Sequence, residues 1–447
     1  MLFPSGWILP LLTATAIVSG VAVLLRPTRD DRPTEVWTFS PAHARELSQV
    51  AAEIDTATRP AVVTLAARAM DVRLQSLRAS ERGSPELVEL EIGAIGKYFR
   101  GRASDVPFVP LTDRLRATGW LDRLSPARLK AWTHDGEVFA VPLDVHPVSL
   151  TYRKDLFDAA DIDLATATTW PQLHALCLKF EAFERANGRP TRALQLPGGS
   201  SDALMMMLQQ RGIDPIDAQH RVHLADPRVA ATIAFYAQLI AGERKISADP
   251  TPGPGRWVDD LASGHVAAAL TPDWALADLA RASDALTGKL AMMPLPRFDP
   301  TDAPTASWGG TAVAIPRSVA DPDRAWRMIE QLYLCDAARQ VRERESTILP
   351  AITDWWDDIG PPNAMYPSQS PAVVYERLAR QLPPRTITPF NAMASSALSL
   401  VLYRTTAAVQ ASGGSLTDAQ LQAQVQRWLN DAAADLQSRI AFATLGS

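Results

Sequence analysis

Two short segments contain residue types that bind metals or phosphate, but neither has the spacing that such chemistry needs. His220 and His223 form the only close pair of histidines, and they lie in a turn-like segment before an Asp-Pro pair. A catalytic zinc site needs about three protein ligands, so this pair predicts a surface turn rather than a metal centre. Gly93 and Lys97 belong to a Gly-Ala-Ile-Gly-Lys run that lacks the spacing and the Ser or Thr of a phosphate-binding loop.

The other short motifs that mark enzymes are also missing from the sequence. It contains no nucleophile elbow, dinucleotide-binding fingerprint or zinc-protease helix. The net charge is −5, and no basic stripe with interleaved aromatic residues occurs, so we expect no nucleic-acid partner. These observations favour a protein that is not an enzyme and uses neither a cofactor nor a metal.

The composition is that of a large folded protein. Of its 447 residues, 47 % are hydrophobic and 21 % are charged, which suffices for two or three domains with a large core. Cys177 and Cys335 both fall in predicted helices beside leucine residues. This predicts two buried thiols, and their spacing leaves open whether they form a disulfide.

The N-terminus contains a run of 19 uncharged residues from Trp7 to Leu25, followed by Arg26 and a short charged segment. About 20 apolar residues span a bilayer as a helix. No basic residue precedes the run and no lipid-accepting cysteine follows it, so we predict an uncleaved membrane anchor instead of a removed signal peptide. The arginines on its C-terminal side would, taken alone, place the rest of the chain inside the cell.

After this run, short apolar strands alternate with amphipathic helices in two successive sets. This alternation predicts two α/β lobes, each with a sheet covered on both faces. The predicted strands are 35–39, 61–66, 87–92, 138–143, 148–152, 193–196, 266–270, 290–295 and 311–315. The predicted helices include 70–82, 170–183, 229–241 and most of 392–443.

A capping residue followed by proline marks the start of several helices. Ser40-Pro41, Thr271-Pro272 and Asp321-Pro322 have this pattern. We therefore predict that a helix begins at each of these three pairs.

Five segments, in this order, together resemble the extracellular solute-binding proteins of the family that includes maltose-binding protein. They are the strand 36–39 with its capped helix, 85–92 followed by 110–115, 139–143 followed by 148–157, 257–274, and 309–316 followed by 321–326. The resemblance covers residues 35–350, and the remainder matches only in length and helical style.

The resemblance implies an α/β fold of the periplasmic-binding-protein type II, with two lobes, a hinge and a ligand cleft between the lobes. The chain would cross between lobes near residues 144–147, 304–307 and 349–356. Three parts are then expected: a membrane anchor and linker at 1–33, a first lobe of 34–145 plus 307–350, and a second lobe of 146–306 plus 351–447.

The family works outside the cytoplasmic membrane, so the resemblance places the lobes on the periplasmic side of the cell membrane, against the arginine signal. It implies a monomeric component of an ABC importer that captures a carbohydrate or related polyol by hinge closure and delivers it to permease subunits. Two alternatives stay open. One is a tethered sensing module for a membrane signalling partner, and the other is a glycoside-processing enzyme that uses Glu91 with Asp144.

A sugar presents hydroxyl groups at its edge and C–H groups on its faces, so its site needs planar aromatic side chains beside hydrogen-bonding groups. The resemblance makes Trp274 the residue that stacks on the sugar from the second lobe. The other expected ligand-binding residues are Ser40, His43, Glu91, Asp144, His146, Gly199, Trp308, Gly309 and Trp355. Each has a structural alternative, such as a helix cap for Ser40 or a core position for Trp274.

Overall fold

The computed structural model of the chain describes residues 34–54, 59–77, 84–253, 255–356 and 363–444. The predicted membrane anchor falls in residues 1–33 and therefore lies outside the described residues. Within the described ranges, no helix combines the length and the apolar character needed to cross a bilayer.

The strands form two five-stranded sheets and a small hairpin. The strands of the described ranges are β1 (Glu35–Thr38), β2 (Ala61–Thr64), β3 (Leu87–Glu91), β4 (Thr133–His134), β5 (Glu137–Val138), β6 (Val141–Pro142), β7 (Val148–Arg153), β8 (Leu194–Gln195), β9 (Ser247–Ala248), β10 (Ala268–Pro272), β11 (Leu290–Met293) and β12 (Thr311–Ala314). The first sheet has the order β2-β1-β3-β12-β6 and the second β11-β7-β10-β8-β9, while β4 pairs with β5. Strands β1, β2 and β3 are parallel to one another, as are β8, β9 and β10.

Helices cover the sheets. The α-helices of the described ranges are α1 (Pro41–Ala52), α2 (Ala67–Leu77), α3 (Ile92–Ile95), α4 (Thr112–Ala117), α5 (Pro126–Ala131), α6 (Lys154–Ala159), α7 (Trp170–Ala186), α8 (Asp202–Gln210), α9 (Pro227–Ile240), α10 (Trp257–Ser263), α11 (Ala275–Ala280), α12 (Ser283–Leu286), α13 (Pro322–Tyr333), α14 (Asp336–Glu345), α15 (Pro371–Ala379), α16 (Asn391–Ser412) and α17 (Asp418–Thr444).

Each large sheet has its own apolar cores, which confirms the prediction of two α/β lobes. In the first lobe, Val36 and Val313 of the sheet are buried with Ile329 of α13. In the second lobe, Leu150 of the sheet is buried in the same cluster as Ile233 of α9.

Several residues that the prediction assigns to the second lobe pack in the first lobe's cores, among them Ala379, Leu382 and Ile387. Ala351, Ile352 and Trp356 pack in the first lobe's core although they were assigned to the second lobe, because they follow the hinge on its first-lobe side. The other boundaries stay a prediction.

Two of the three predicted helix starts are confirmed. The Ser40 hydroxyl accepts a hydrogen bond from the His43 amide at 3.3 Å, and the Asp321 carboxylate accepts one from the Arg324 amide at 2.9 Å. The start at Thr271-Pro272 is wrong because both residues continue β10, where they pair with Ser149 and Val148 of β7. The helix follows at α11.

The predicted strand 138–143 is two short strands in different sheets. Val138 pairs with Thr133 in the hairpin, whereas Val141 pairs with Val313 in the first sheet. The buried residues Phe139 and Ala140 separate the two. Apolar character alone could not show that the halves have different partners.

The cysteines are both free thiols. Cys177 is buried in α7 as predicted. Cys335 is half-buried instead, because its sulfur caps α14 by accepting a hydrogen bond from the Ala338 amide at 3.4 Å.

Three chain segments lie side by side where the lobes meet. The Val145 amide donates to the Leu349 carbonyl at 3.0 Å, and the Trp308 amide donates to the His146 carbonyl at 3.1 Å. A further isolated bridge pairs Pro147 with Ser307. The two segments that connect the sheets are thus hydrogen-bonded to each other and to a third, which forms a narrow hinge.

Residues 383–390, which we call the strap, lie between α15 and α16 and contact both lobes. On the second-lobe side, the Gln209 side-chain amide donates to the Pro383 carbonyl at 3.3 Å, and the Thr386 amide donates to the Asp214 carboxylate at 3.1 Å. On the first-lobe side, Ile387 is buried in the core.

A Gly96→Ala substitution tests the contact of the strap with the first lobe. A Cβ atom at Gly96 would lie 2.5 Å from the Thr388 carbonyl oxygen, so the strap would have to shift. We expect a loss of about 1–3 kcal/mol in the free energy of unfolding, measured by urea denaturation. Gly199→Ala is the matched control, since a Cβ there meets no atom within 4 Å, and its effect should be close to zero. Equal stability of the two variants would contradict this packing.

Candidate functional site

A cavity of about 350 Å³ opens beyond the carboxyl ends of the parallel strands β8, β9 and β10. In open α/β sheets this edge is where ligands bind, because loops there can vary without disturbing the sheet. Its lining residues are Gln195, Leu196, Pro197, Ser200, Asp202, Ala203, Pro250, Thr251, Pro252, Gly253, Trp257, Ala269, Leu270, Pro272, Trp274, Ala275 and Trp308. All but Trp308 belong to the second lobe.

Three indole rings form walls of this cavity, and the N–H groups of two of them, Trp274 and Trp257, are already engaged. Trp274 Nε1 donates to the Trp308 carbonyl at 2.9 Å, and the two rings meet edge to face with centroids 5.9 Å apart. Trp257 Nε1 donates to the Asp278 carboxylate at 2.9 Å. Since the polar edges of Trp274 and Trp257 are held by the protein, their apolar ring faces remain for a ligand.

Two polar side chains of the cavity are held by Asp260, which is not itself a lining residue. The Asp260 carboxylate accepts hydrogen bonds from the Thr251 hydroxyl at 2.6 Å and from the Gln195 side-chain amide at 2.9 Å. Asp202, another lining residue, begins α8 and is exposed. The cavity therefore combines planar apolar walls with fixed hydrogen-bonding groups.

Gly309 joins this cavity to the hinge. Its φ angle is +94°, a backbone conformation that L side chains rarely adopt. A Cβ atom there would lie 3.4 Å from His146 Cδ2 and 3.6 Å from Trp274 Nε1. The predicted group of Trp274, Trp308, Gly309 and His146 is thus brought together, and their role in ligand binding stays a prediction.

A buried histidine bridges two carboxylates at the hinge. His146 Nε2 lies 3.1 Å from Asp144 Oδ2, and Nδ1 lies 2.7 Å from Asp273 Oδ1. The backbone φ of His146 is +55°, which turns its side chain between the two acids. Asp144 follows the first sheet and Asp273 follows β10 of the second, so this ring connects the two lobes.

The two acids at this bridge also hold backbone amides. The Thr311 amide donates to Asp144 Oδ1 at 2.9 Å, and Leu349 donates to Asp273 Oδ2 at 2.8 Å. Asp273 Oδ1 accepts a further hydrogen bond from the Trp274 amide at 2.7 Å. Asp144 and His146 were predicted ligand contacts, and the structure places both side chains in this hinge network.

The bridge is charged. Burial opposes the charged imidazolium, but the adjacent Asp144 and Asp273 outweigh it and raise the pKa of His146 to about 9. Burial would raise the pKa of Asp144, but His146 and Arg128 outweigh it and hold this pKa well below its usual value. A buried ion pair needs such dense pairing, since its desolvation is otherwise uncompensated.

Arg128 holds the first-lobe side of the hinge. Its guanidinium donates to the Asp144 carbonyl at 3.0 Å, the Ser307 hydroxyl at 3.1 Å and the Gly309 carbonyl at 3.3 Å. A Cβ atom at Gly310 would lie 1.6 Å from this guanidinium. Glycine is therefore needed at Gly310 to leave room for Arg128 at the hinge, and at Gly309 to let the backbone pass close to Trp274 of the cavity.

The first-lobe residues expected at the cleft mouth are largely engaged within that lobe. His43 is 5 % exposed, and its Nδ1 lies 3.0 Å from Glu89 Oε2. Glu89 also accepts hydrogen bonds from Thr38 and Tyr333. Burial opposes the imidazolium, but Glu89 outweighs it and raises the pKa of His43. The hydroxyl of Ser40 caps α1, which is its structural alternative.

Glu91 is the first-lobe acid that stays half-buried at the carboxyl end of β3. Burial raises its pKa, opposed by a hydrogen bond from the Gly93 amide. The charges of Asp144 and Asp202 also raise this pKa. Glu91 is therefore near enough to Asp202 of the cavity for the two charges to interact.

Of the ten expected ligand residues, only Trp274 and Trp308 line the cavity, and Gly199 and Trp355 are among the eight that do not. Gly199 is exposed in the loop after β8, while its neighbours Pro197 and Ser200 line the cavity. Trp355 packs against the first lobe's core in the turn Thr353–Trp355. The expected role of both residues in ligand binding stays a prediction.

Sequence reasoning missed several lining residues. Asp202 follows the Gly-Gly-Ser loop after β8, and Trp257 follows the Pro/Gly-rich loop after β9. The signal that could have found them is the position of both loops at the carboxyl ends of parallel strands. Gln195 and Thr251 have no comparable local signal.

The histidine pair near Asp217 lies in a turn-like segment, as predicted. His223 Nε2 lies 3.0 Å from an Asp217 carboxylate oxygen. In the part of the chain that the structure describes, no group of three or more His, Cys, Asp or Glu side chains could hold a metal ion.

A sequence model of the family of bacterial extracellular solute-binding proteins matches residues 85–371. The chain belongs to this family. Two relatives of this solute-binding protein share its sequence over part of its length. The arabinooligosaccharide-binding protein of Halalkalibacterium halodurans is 24 % identical over 288 residues, which are 62 % of this chain and 61 % of the relative. The protein of that name from Bacillus subtilis is 24 % identical over 246 residues, 54 % of each chain.

The solute-binding protein therefore spans between about half and three fifths of the length of these relatives. Its fold is similar to that of the sugar-binding protein MalE from Xanthomonas citri, with a TM-score of 0.71 and 16 % identity. The match covers 92 % of this chain and 99 % of that one. This likeness confirms the predicted two-lobed periplasmic-binding-protein fold.

Stability should depend on pH through His146. Its folded pKa of about 9 lies above the ordinary value of 6.5, so its stabilisation is complete below about pH 6.5 and is lost as the pH rises through 9. A shift of this size corresponds to ~3 kcal/mol. Urea unfolding between pH 6 and 9.5 should show this loss in the unmodified protein.

His146→Gln should be less stable at pH 6 and should show a flatter pH dependence. His265→Gln is the matched control, because His265 is exposed, and it should follow the unmodified protein. The raised pKa of His43 also makes stability fall as the pH rises, and this effect is present in all three proteins. A pH dependence that His146→Gln leaves unchanged would contradict the charged bridge.

Proposed function

We propose that this protein captures a carbohydrate or related polyol between its lobes and delivers it to the permease of an ABC importer. The observation that carries the proposal is the cavity beyond β8, β9 and β10, with indole walls and a few fixed hydrogen-bonding groups. Nearly all its lining belongs to one lobe, so the second lobe would bind first and the first lobe would close over the ligand.

The chemistry of a sugar suits this cavity. The C–H face of a pyranose or furanose ring packs on an indole face, and its hydroxyl groups pair with carboxylates, hydroxyls and amides. Trp274 and Trp257 would supply the faces, while Asp202, Thr251 and Gln195 would supply the polar partners. The relatives named as arabinooligosaccharide-binding proteins support this ligand class.

The hinge supports closure around the ligand. The crossing segments are short and are hydrogen-bonded to one another side by side. A rotation between the lobes would therefore change the backbone angles of only a few residues in these segments. Only contacts made in the closed state can drive closure. Glu91 of the first lobe, close to Asp202, would make such a contact.

We further propose that the protein acts as a monomer on the periplasmic side, tethered by the apolar run at residues 7–25. ATP use would then belong to other subunits of the importer. If the tether exists, the full chain should stay in the membrane fraction after a carbonate wash. Its release into the soluble fraction would argue against a tether.

A glycosidase function finds little support in the same residues. Asp144, the proposed partner of Glu91, holds the Thr311 amide and His146 with its two carboxylate oxygens. A carboxylate occupied in this way is not available as a nucleophile or a base.

Binding should stabilise the protein against heat. With arabinobiose, arabinotriose, lactose or maltose at about 100-fold above its dissociation constant, the gain should be ~2.7 kcal/mol. Scanning calorimetry of the lobes, residues 34–447, with each sugar measures it. An unchanged melting temperature with every mono- and oligosaccharide of a broad panel would contradict the proposal.

Trp274→Ala should weaken binding of the tightest of these sugars by at least about tenfold, since it removes the stacking face. Trp355→Ala is the matched control, because that ring packs on the first lobe outside the cavity. It should lower the melting temperature and change the affinity by less than about twofold. Isothermal titration calorimetry measures both, and equal affinities of the two variants would overturn the assignment of the cavity.

A further inference from the structure

Arg385 lies on the strap that contacts both lobes. The strap is tied to the second lobe through Pro383 and Thr386 and to the first through Ile387. Arg385 stands between these anchoring points, so its backbone is held at the gap between the lobes. Its side chain is half-buried there.

The guanidinium of Arg385 has acidic neighbours from both lobes. The charges of Asp214, Glu91 and Asp202 all act on it. Glu91 ends β3 of the first sheet, whereas Asp202 lines the cavity of the second lobe. The guanidinium therefore lies near one acid of each lobe.

Arg385 forms neither a hydrogen bond nor an ion pair within residues 34–54, 59–77, 84–253, 255–356 and 363–444. Burial lowers its pKa, which means that its environment disfavours the charge. Arg128 has a comparable position at the hinge, but its donors are bound to three protein oxygens. The unused donors of Arg385 have no such structural role.

A half-buried guanidinium with five free N–H donors lowers stability unless something binds it. Unpaired polar groups that lower the stability of the fold are characteristic of functional sites, where the same groups are needed to bind a ligand. The nearby acids supply acceptors, and the guanidinium supplies donors. This pairing matches vicinal hydroxyl groups, each of which donates one hydrogen bond and accepts others.

We infer that Arg385 is a ligand-binding residue that donates hydrogen bonds to hydroxyl oxygens of a neutral saccharide, whose hydroxyl hydrogens are accepted by Glu91 and Asp202. This inference rests on the proposed carbohydrate function. It adds a contact from the strap, which neither sheet provides. It also assigns the ligand as neutral, because two carboxylates and one guanidinium leave no net positive charge for an acidic sugar.

Arg385→Gln separates a binding role from a structural one. Because the native guanidinium has no partner, the variant should melt at the same temperature as the unmodified protein or higher. Its affinity for the tightest sugar among arabinobiose, arabinotriose, lactose and maltose should fall at least about tenfold. Arg377→Gln, at an exposed position of α15, is the matched control and should change neither quantity.

The outcomes distinguish this inference from the proposed function. If the unmodified protein binds none of a broad saccharide panel, both are overturned. If it binds a sugar and Arg385→Gln binds it equally well, only the role of Arg385 is overturned, as it also is if this variant melts several degrees lower. Tighter binding of galacturonic acid than of galactose would overturn the neutral ligand.

Discussion

The structure depends on one buried charge, the imidazolium of His146 between Asp144 and Asp273. Each acid belongs to a different lobe, and each also holds a backbone amide of a segment at the hinge. Desolvation of three charged groups is costly, and it is offset only while all of them stay paired. The bridge therefore specifies one arrangement of the crossing segments.

This constraint reaches the cavity through a short series of hydrogen bonds. Asp273 holds the amide of Trp274, and the carbonyl of Trp308 holds the Trp274 ring, so the indole wall is positioned by the hinge. Gly309 packs between His146 and Trp274 without a side chain of its own. A change in the His146 bridge would thus shift Trp274 at the proposed binding surface. In this way, closure of the lobes is coupled to contact with the ligand.

The polar groups of the molecule differ in how completely they are satisfied. At the hinge and around Glu89, donors and acceptors are bound within the protein, which suits a fixed scaffold. At the gap between the lobes, Arg385 and Asp202 have donors and acceptors to spare. Unsatisfied groups concentrated at one opening are what a ligand with many hydroxyl groups would complete.

Much of the fold could be predicted because local pattern decides it. The alternation of strands and helices predicts the two lobes, and the sequence places Trp274 and Trp308 in the same expected site. The helix start at Thr271 failed because pairing with β7 outweighed a capping pattern. His43 was expected at the cleft, but Glu89, 46 residues away along the chain, draws it inward. Arg385 could not be predicted as a ligand-binding residue, because its position between the lobes depends on long-range contacts of the strap.

A crystal structure of the protein with its tightest-binding saccharide tests the central claim most directly. We expect the sugar ring to lie on Trp274, with Asp202 and Arg385 within hydrogen-bonding distance of its hydroxyl groups. A saccharide bound away from the cavity beyond β8, β9 and β10, with Trp274 uncovered, would contradict it.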